Sequence, residues 1–255
     1  MITKKLFSSV AASLSLAFAM SGCGSLAAEP AGAGKTASMA TTDFGGVWEI
    51  AGLEMVVRPD FGKPPYTPEA QQWVDDYARL MDPKVDDPAQ FCDIKGMPWT
   101  FLSRARTYPV EIYQTPDRVV MFFEIFDQSR NIRLNGVMPK NVPASLNGYS
   151  TARWDGSSLV ISTAALSERA FPNRELRSEK MKITERWTRK ADPKMGDIIE
   201  IDMDIEDPAI YSKPVKARQV LKRSAEGTVV GSYNCTEKLW LAHAEKKLGK
   251  TTPKK

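Results

Sequence analysis

Residues 150–163 read STARWDGSSLVIST, and this stretch decides the fold class. Two β-rich runs, 150–154 and 159–163, are joined by Asp155-Gly156, a dipeptide that favours the tight turn of a hairpin. The same pattern extends in both directions. Residues 108–114 and 118–126 flank Thr115-Pro116-Asp117, a turn signal, and 130–134 closes on Asn135-Gly136. Runs at 46–50, 179–188, 198–205, 215–222 and 228–233 bring the count to about ten strands with short connections, a meander that closes most economically as an antiparallel up-and-down β-barrel of about 8–10 strands. Such a barrel encloses at most one small-molecule cavity.

Two helices flank the strands. Thr67-Pro68-Glu69 supplies a hydroxyl cap, a first-turn proline and an acid at the positive end of the dipole. Ala70, Trp73, Val74, Tyr77, Ala78 and Met81 then share one face, so a helix is expected over 67–82. A second helix is expected over about 236–248, capped by Thr236 and stopped at Gly249.

At 255 residues, 42% hydrophobic and 26% charged, the chain has the composition of a globular protein, which excludes a disordered or fibrous one. The net charge of +4 does not point to nucleic acid. Lys4 and Lys5 belong to the leader, and Lys246, Lys247, Lys250, Lys254 and Lys255 to the tail, leaving a mildly acidic body.

Those first lysines precede a short apolar run and Met20-Ser21-Gly22-Cys23, the parts of a secretory signal too short to span a bilayer. Small residues before Cys23 resemble a bacterial lipobox, which implies acylation of Cys23. The alternative is an ordinary secreted protein cut near Ala27-Ala28. Gly24 after the cysteine implies the outer rather than the inner membrane. The expected organisation is a signal over 1–22, acylated Cys23 and a flexible tether over 23–43, a barrel over 44–235, and a helix with a basic tail over 236–255. In an oxidising envelope the remaining Cys92 and Cys235 read as a disulfide, or else as two separate buried thiols.

Gly45-Gly46-Val47-Trp48 is similar to the Gly-x-Trp opening of calycin barrels, the lipocalin and fatty-acid-binding superfamily. Further segments resemble a bacterial family of secreted lipocalin-like proteins, mostly of unknown function. They include Gly96-Met97-Pro98, Tyr108-Pro109-Val110-Glu111-Ile112, Gly148-Tyr149-Ser150, Arg153-Trp154-Asp155-Gly156 and Glu206-Asp207-Pro208. The resemblance implies the fold but no chemistry. The chain departs from the pattern at Tyr149, where the family commonly carries a histidine, and again near Arg177 and Met181.

Glu124 interrupts an apolar run on 119–126, and Arg130 lies within reach across a tight turn, as a structural ion pair or as a polar grip inside a greasy pocket. Phe122 on that run is an apolar ligand contact. Glu111 and Tyr113 alternate with Val110 and Ile112, so they point either into the barrel or to solvent. Glu185 shares its face with Met181, Ile183 and Trp187 and is more interior than Arg186. Trp99, Tyr149 and Tyr211 either rim a barrel mouth or plug the core, Trp154 belongs to the core, and His243 is a surface or half-buried helix residue.

One His and three Cys leave little for a zinc site or a His-dependent triad, and no glycine-rich phosphate loop or serine elbow is present. Asp202, Asp204, Glu206 and Asp207 lack the glycine spacing of a calcium loop. No metal or cofactor is therefore expected. The leading reading is an envelope lipoprotein enclosing a hydrophobic, aromatic small molecule, bound to the membrane through its N-terminal lipid. The alternative is a cofactor-independent lyase or isomerase with Glu124, Glu111 or Glu185 as base and Arg130 stabilising developing charge. Formaldehyde loss from a lignin-derived phenylpropanoid dimer is one such reaction. A barrel filled by its own side chains would instead mark a structural envelope protein.

Overall fold

The computed structural model describes residues 42–51, 64–82, 84–102, 108–171, 175–235 and 238–249. The expected leader, Cys23, most of the expected tether, Thr236 and the end of the basic tail lie outside the described residues. The chain order begins β1 (Gly46–Ile50), α1 (Pro68–Leu80), α2 (Trp99–Leu102), β2 (Pro109–Gln114), β3 (Arg118–Phe123), β4 (Gln128–Leu134), β5 (Tyr149–Asp155) and β6 (Ser158–Ala164). It continues with β7 (Arg169–Phe171), β8 (Glu175–Arg177), β9 (Lys182–Asp192), β10 (Gly196–Glu206), β11 (Val215–Arg223) and α3 (Lys238–Lys247).

The hairpin at 150–163 forms as its sequence dictates. Asp155 pairs with Ser158 around a two-residue turn, and Gly156 takes the left-handed φ of +62° that such a turn needs first. From it the sheet grows into a closed barrel ordered β1-β11-β10-β9-β6-β5-β4-β3-β2, with β7 and β8 paired apart. Nine strands close the wall, within the expected number.

The expectation of a wholly antiparallel meander is corrected at one seam. β4 and β5 run parallel, with Ile132 opposite Ser150 and Leu134 opposite Ala152. Residues 135–148 must therefore return along the barrel before the next strand starts, because a parallel pair cannot be joined by a tight turn. The strand expected at 228–233 is also absent. β1 and β11 already pair and close the wall, so no free edge remains to take it. Its amides go elsewhere: Gly231 donates to Glu124 at 2.7 Å and Tyr233 to Asp127 at 2.9 Å.

Aromatic residues seal one end. Trp48 donates from its indole to the Phe44 carbonyl at 2.9 Å, and the Arg223 guanidinium lies 3.9 Å from its ring centre. Gly46 has φ +119°, and a Cβ there would sit 1.8 Å from the Arg223 guanidinium, so this approach requires glycine. At the other end α2 and neighbouring loops bury Met97, Trp99, Phe101 and Leu102, and Tyr66 stacks on Tyr211 at 5.8 Å. Buried Arg177 pins these loops together by donating to the carbonyls of Met97, Leu146 and Ser167. Burial lowers its guanidinium to about 10.

Cys92 and Cys235 form a disulfide with Cα atoms 5.3 Å apart, spanning 143 residues, which stabilises by roughly 3–5 kcal/mol in the chain-entropy model. It brings the end of the chain to the segment before α2. α1 starts as expected, with the Thr67 hydroxyl accepting from Ala70 N–H, and it ends two residues before the expected limit of 82. α3 docks through His243, which stacks on Phe91 at 4.1 Å and meets the buried Asp86 carboxylate at 2.8 Å. Lys247 bonds the other oxygen of Asp86. That hydrogen bond, opposed by burial and helped by His243, holds the Asp86 carboxyl down at about 2.

A carboxyl depressed on folding contributes stability that is complete above its unfolded value of 3.8 and is lost as pH falls towards about 2. Acid titration of unfolding should therefore show wild type more stable than Asp86→Asn at neutral pH, with the gap narrowing across that window. A gap independent of pH would contradict the docking role.

Candidate functional site

Every second residue of a barrel strand points inward, and this alternation assembles a polar cluster within the apolar interior. β4 contributes Arg130, β5 Ser150, β6 Thr163, and β9 Glu185 and Trp187, each at most 2% exposed. Arg130 spans the barrel to Glu185, with Nη2 to Oε1 at 2.5 Å and Nη1 to Oε2 at 3.0 Å. Its Nη2 also donates to Thr163 at 2.8 Å, and its Nε and Nη2 face the Ser150 hydroxyl at 3.3 and 3.2 Å. Trp187 donates from Nε1 to Glu185 Oε2 at 3.0 Å. Ser150 and Thr163, directly opposite in register, share a hydrogen bond of 2.9 Å. The cluster thus satisfies its own charge and most of its donors.

Apolar residues enclose it. Phe101 of α2 reaches in, its ring 5.8 Å from the Arg130 guanidinium, 5.3 Å from Phe123 and 6.0 Å from Trp187. The core around it, including Met121, Ile132, Ile161, Ile183 and Ile201, exposes at most 6% of any side chain. Gln219 on β11 lies opposite Ile201, itself opposite Trp187, and is wholly buried. Its Nε2 donates to the Val220 carbonyl at 3.1 Å, while its Oε1 has no hydrogen-bond donor among the described residues.

Of the residues singled out from the sequence, Arg130 and Glu185 come together, although Arg130 was expected to meet Glu124. Glu124 lies past the end of β3 in a turn that leaves the wall, and its carboxylate accepts from Gly231. Glu111, Tyr113 and Phe122 point outward. Tyr113 donates to Glu111 at 2.6 Å, and Phe122 meets Tyr113 edge-on at 5.8 Å with both rings about half exposed. The pleat explains this: Val110 and Ile112, which alternate with Glu111 and Tyr113, are buried. Trp99 and Tyr211 are 2–3% exposed and are plugs rather than rim contacts. Tyr149 is half-buried beneath Arg133, 4.3 Å from its ring. Asp202 and Asp204 stand on the outer wall as expected, paired with Arg218 and Lys216.

Ser150, Thr163 and Gln219 were not recognised as site residues. Their strand phase, in step with Ala152, Ile161 and Leu221, was the available signal. No cluster of three or more potential metal-ligating side chains occurs among the described residues. No helix among them is long and apolar enough to cross a membrane. No protein-family model matches the chain, and no curated protein matches it significantly.

Removing one member of the buried pair strands the other. Arg130→Met or Glu185→Leu alone should lower the unfolding free energy by about 3–5 kcal/mol, and the double replacement by much less. Urea denaturation of the four proteins checks this. Additive losses would show that the two charges do not depend on each other.

Proposed function

We propose that this chain is an envelope lipoprotein, anchored through Cys23, whose barrel takes up a small aromatic molecule bearing a hydroxyl group. The observation that carries this reading is the buried cluster of Arg130, Glu185, Ser150, Thr163 and Trp187, assembled from four strands inside an otherwise apolar barrel. A core serving only to hold the wall open gains little stability from a buried ion pair, since apolar residues of similar volume often stabilise as well or better. The unmatched Oε1 of Gln219 supports the reading as well, because a buried acceptor calls for a donor such as a ligand hydroxyl. The closely packed interior means that the ligand enters by displacing Phe101 and α2. The cation and the surrounding rings then grip its polar and aromatic parts.

The same close packing favours a second reading, in which the barrel is a structural module whose interior belongs to its own side chains. Native mass spectrometry of the protein purified from envelopes separates the two. The binding reading expects a co-purifying small molecule, lost in Arg130→Met. A ligand-free barrel whose melting temperature no aromatic alcohol raises would instead establish the structural one. Chemical identity of the released molecule then distinguishes carrier from lyase. Radiolabelled fatty acid incorporated by wild type and not by Cys23→Ser tests the anchor separately.

A further inference from the structure

α2 is a single turn, too short to hold itself over the polar centre, so its position depends on what backs it. Residues 224–235 supply the backing, as a strap that leaves β11 and returns along the wall. Ser224 N–H donates to the Val47 carbonyl at 3.0 Å, near the end that Trp48 closes. At the α2 end the strap amides are taken by side chains and not by a strand. Gly231 donates to Glu124 at 2.7 Å, while Tyr233 and Asn234 donate to the two oxygens of Asp127 at 2.9 and 3.3 Å. The Tyr233 ring packs on Phe126 at 4.9 Å and on Tyr108 at 5.2 Å, and Cys235 bonds Cys92. Gly231, Ser232 and Asn234 are exposed, so this part of the strap lies on the surface.

Both fastenings lead to α2. Glu124 to Asp127 form the turn between β3 and β4, and the residues at its base, Phe123 and Gln128, face each other in register. Phe123 meets Phe101 edge-on at 5.3 Å, and Gln128 accepts from the Thr100 hydroxyl at 3.3 Å. The turn therefore grips the strap with its tip and α2 with its base. On the other side, Cys92 sits in the segment that leads into α2, so the disulfide ties that segment to the end of the strap. The junction is strained. Four non-glycine residues with left-handed φ meet there: Cys92 at +66°, Phe126 at +61°, Asp127 at +48° and Asn234 at +53°. Asp and Asn tolerate this conformation, whereas Cys and Phe hold it only where the surrounding contacts impose it.

We propose that the strap is a latch on α2. While it is seated, the turn keeps its left-handed form and holds Phe101 against the polar centre. When it lifts, the turn relaxes, Phe123 and Gln128 lose their hold, and α2 swings away with Phe101, opening the barrel from this end. Strain released at Phe126 offsets part of the contacts that the strap gives up, which narrows the gap between the latched and open states. The fastening suits a part that moves. Strand pairing would lock the strap into the sheet, whereas carboxylates at the surface exchange its amides for water at little net cost. The latch is a property of the fold, and its use as a gate rests on the reading of the polar centre as a binding site.

The test is amide hydrogen exchange at Met97, Thr100, Phe101 and Leu102, which donate to the carbonyls of Leu146, Gly96 and Pro98 and so report on α2. Two variants cut the latch from opposite sides. Asp127→Asn keeps a residue that tolerates left-handed φ but turns a donor towards one of the strap amides, and Tyr233→Ala removes the ring from Phe126. Each should speed exchange at the α2 amides about tenfold, the scale of one lost hydrogen bond to a charged group. The β5–β6 hairpin should exchange as in wild type. Combining the two should add little, because one latch is released only once. Unchanged exchange at α2 would overturn the proposal, and so would an equal acceleration in the hairpin, which marks general loosening. Titration of the same proteins with benzyl alcohol keeps the gate apart from the latch. Faster α2 exchange with no heat of binding establishes the latch and counts against ligand uptake, and binding with α2 exchange unchanged does the reverse.

Discussion

Arg130 and Glu185 face each other inside a closed barrel, and both are buried away from bulk solvent. Two opposite charges held in that position need each other, and they need partners for their remaining hydrogen-bonding groups. Ser150 and Thr163 meet that demand because β5 and β6 are in register between β4 and β9, and Trp187 does so from Glu185's own strand. The register is in turn enforced by closure, since a slip of one residue on any strand would turn its inward set to the outside. Wall and polar centre therefore specify one another.

The ends of the barrel follow from the same constraint. Water reaching the pair would compete for its hydrogen bonds, and both ends are stoppered with aromatic rings. At one end Trp48 lies beneath Arg223, and Gly46 leaves room for the guanidinium's approach. At the other the stopper is a short helix, α2, carried between loops that Arg177 staples through their carbonyls. The disulfide, with the Asp86, His243 and Lys247 contacts, fastens the C-terminal helix to the segment leading into α2. This end holds the parts whose movement would admit a ligand.

Much of the wall was legible in the sequence because its signals are local. Alternation and the Asp155-Gly156 turn placed β5 and β6, and Thr67-Pro68 placed the start of α1. The parallel seam between β4 and β5 was not legible, because nothing within residues 135–148 states which way the next strand runs. Glu124 shows how a one-residue matter decides a site: the strand ends at Phe123, and the following carboxylate leaves the interior. Glu185 was placed inside by its apolar neighbours, yet its partner sits 55 residues earlier on a strand across the barrel, a pairing no local pattern encodes. Trp99 and Tyr211 were visible as aromatics near an end, and only packing decides between a rim and a plug.

The central claim is that the polar centre is a binding site covered by Phe101. Calorimetry with a small aromatic alcohol tests it on wild type, Phe101→Ala, and Phe101→Ala combined with Arg130→Met. The claim predicts tighter binding once the ring is removed, with the gain abolished when the guanidinium is removed too. Equal binding by all three proteins, or a gain that survives loss of Arg130, would contradict it.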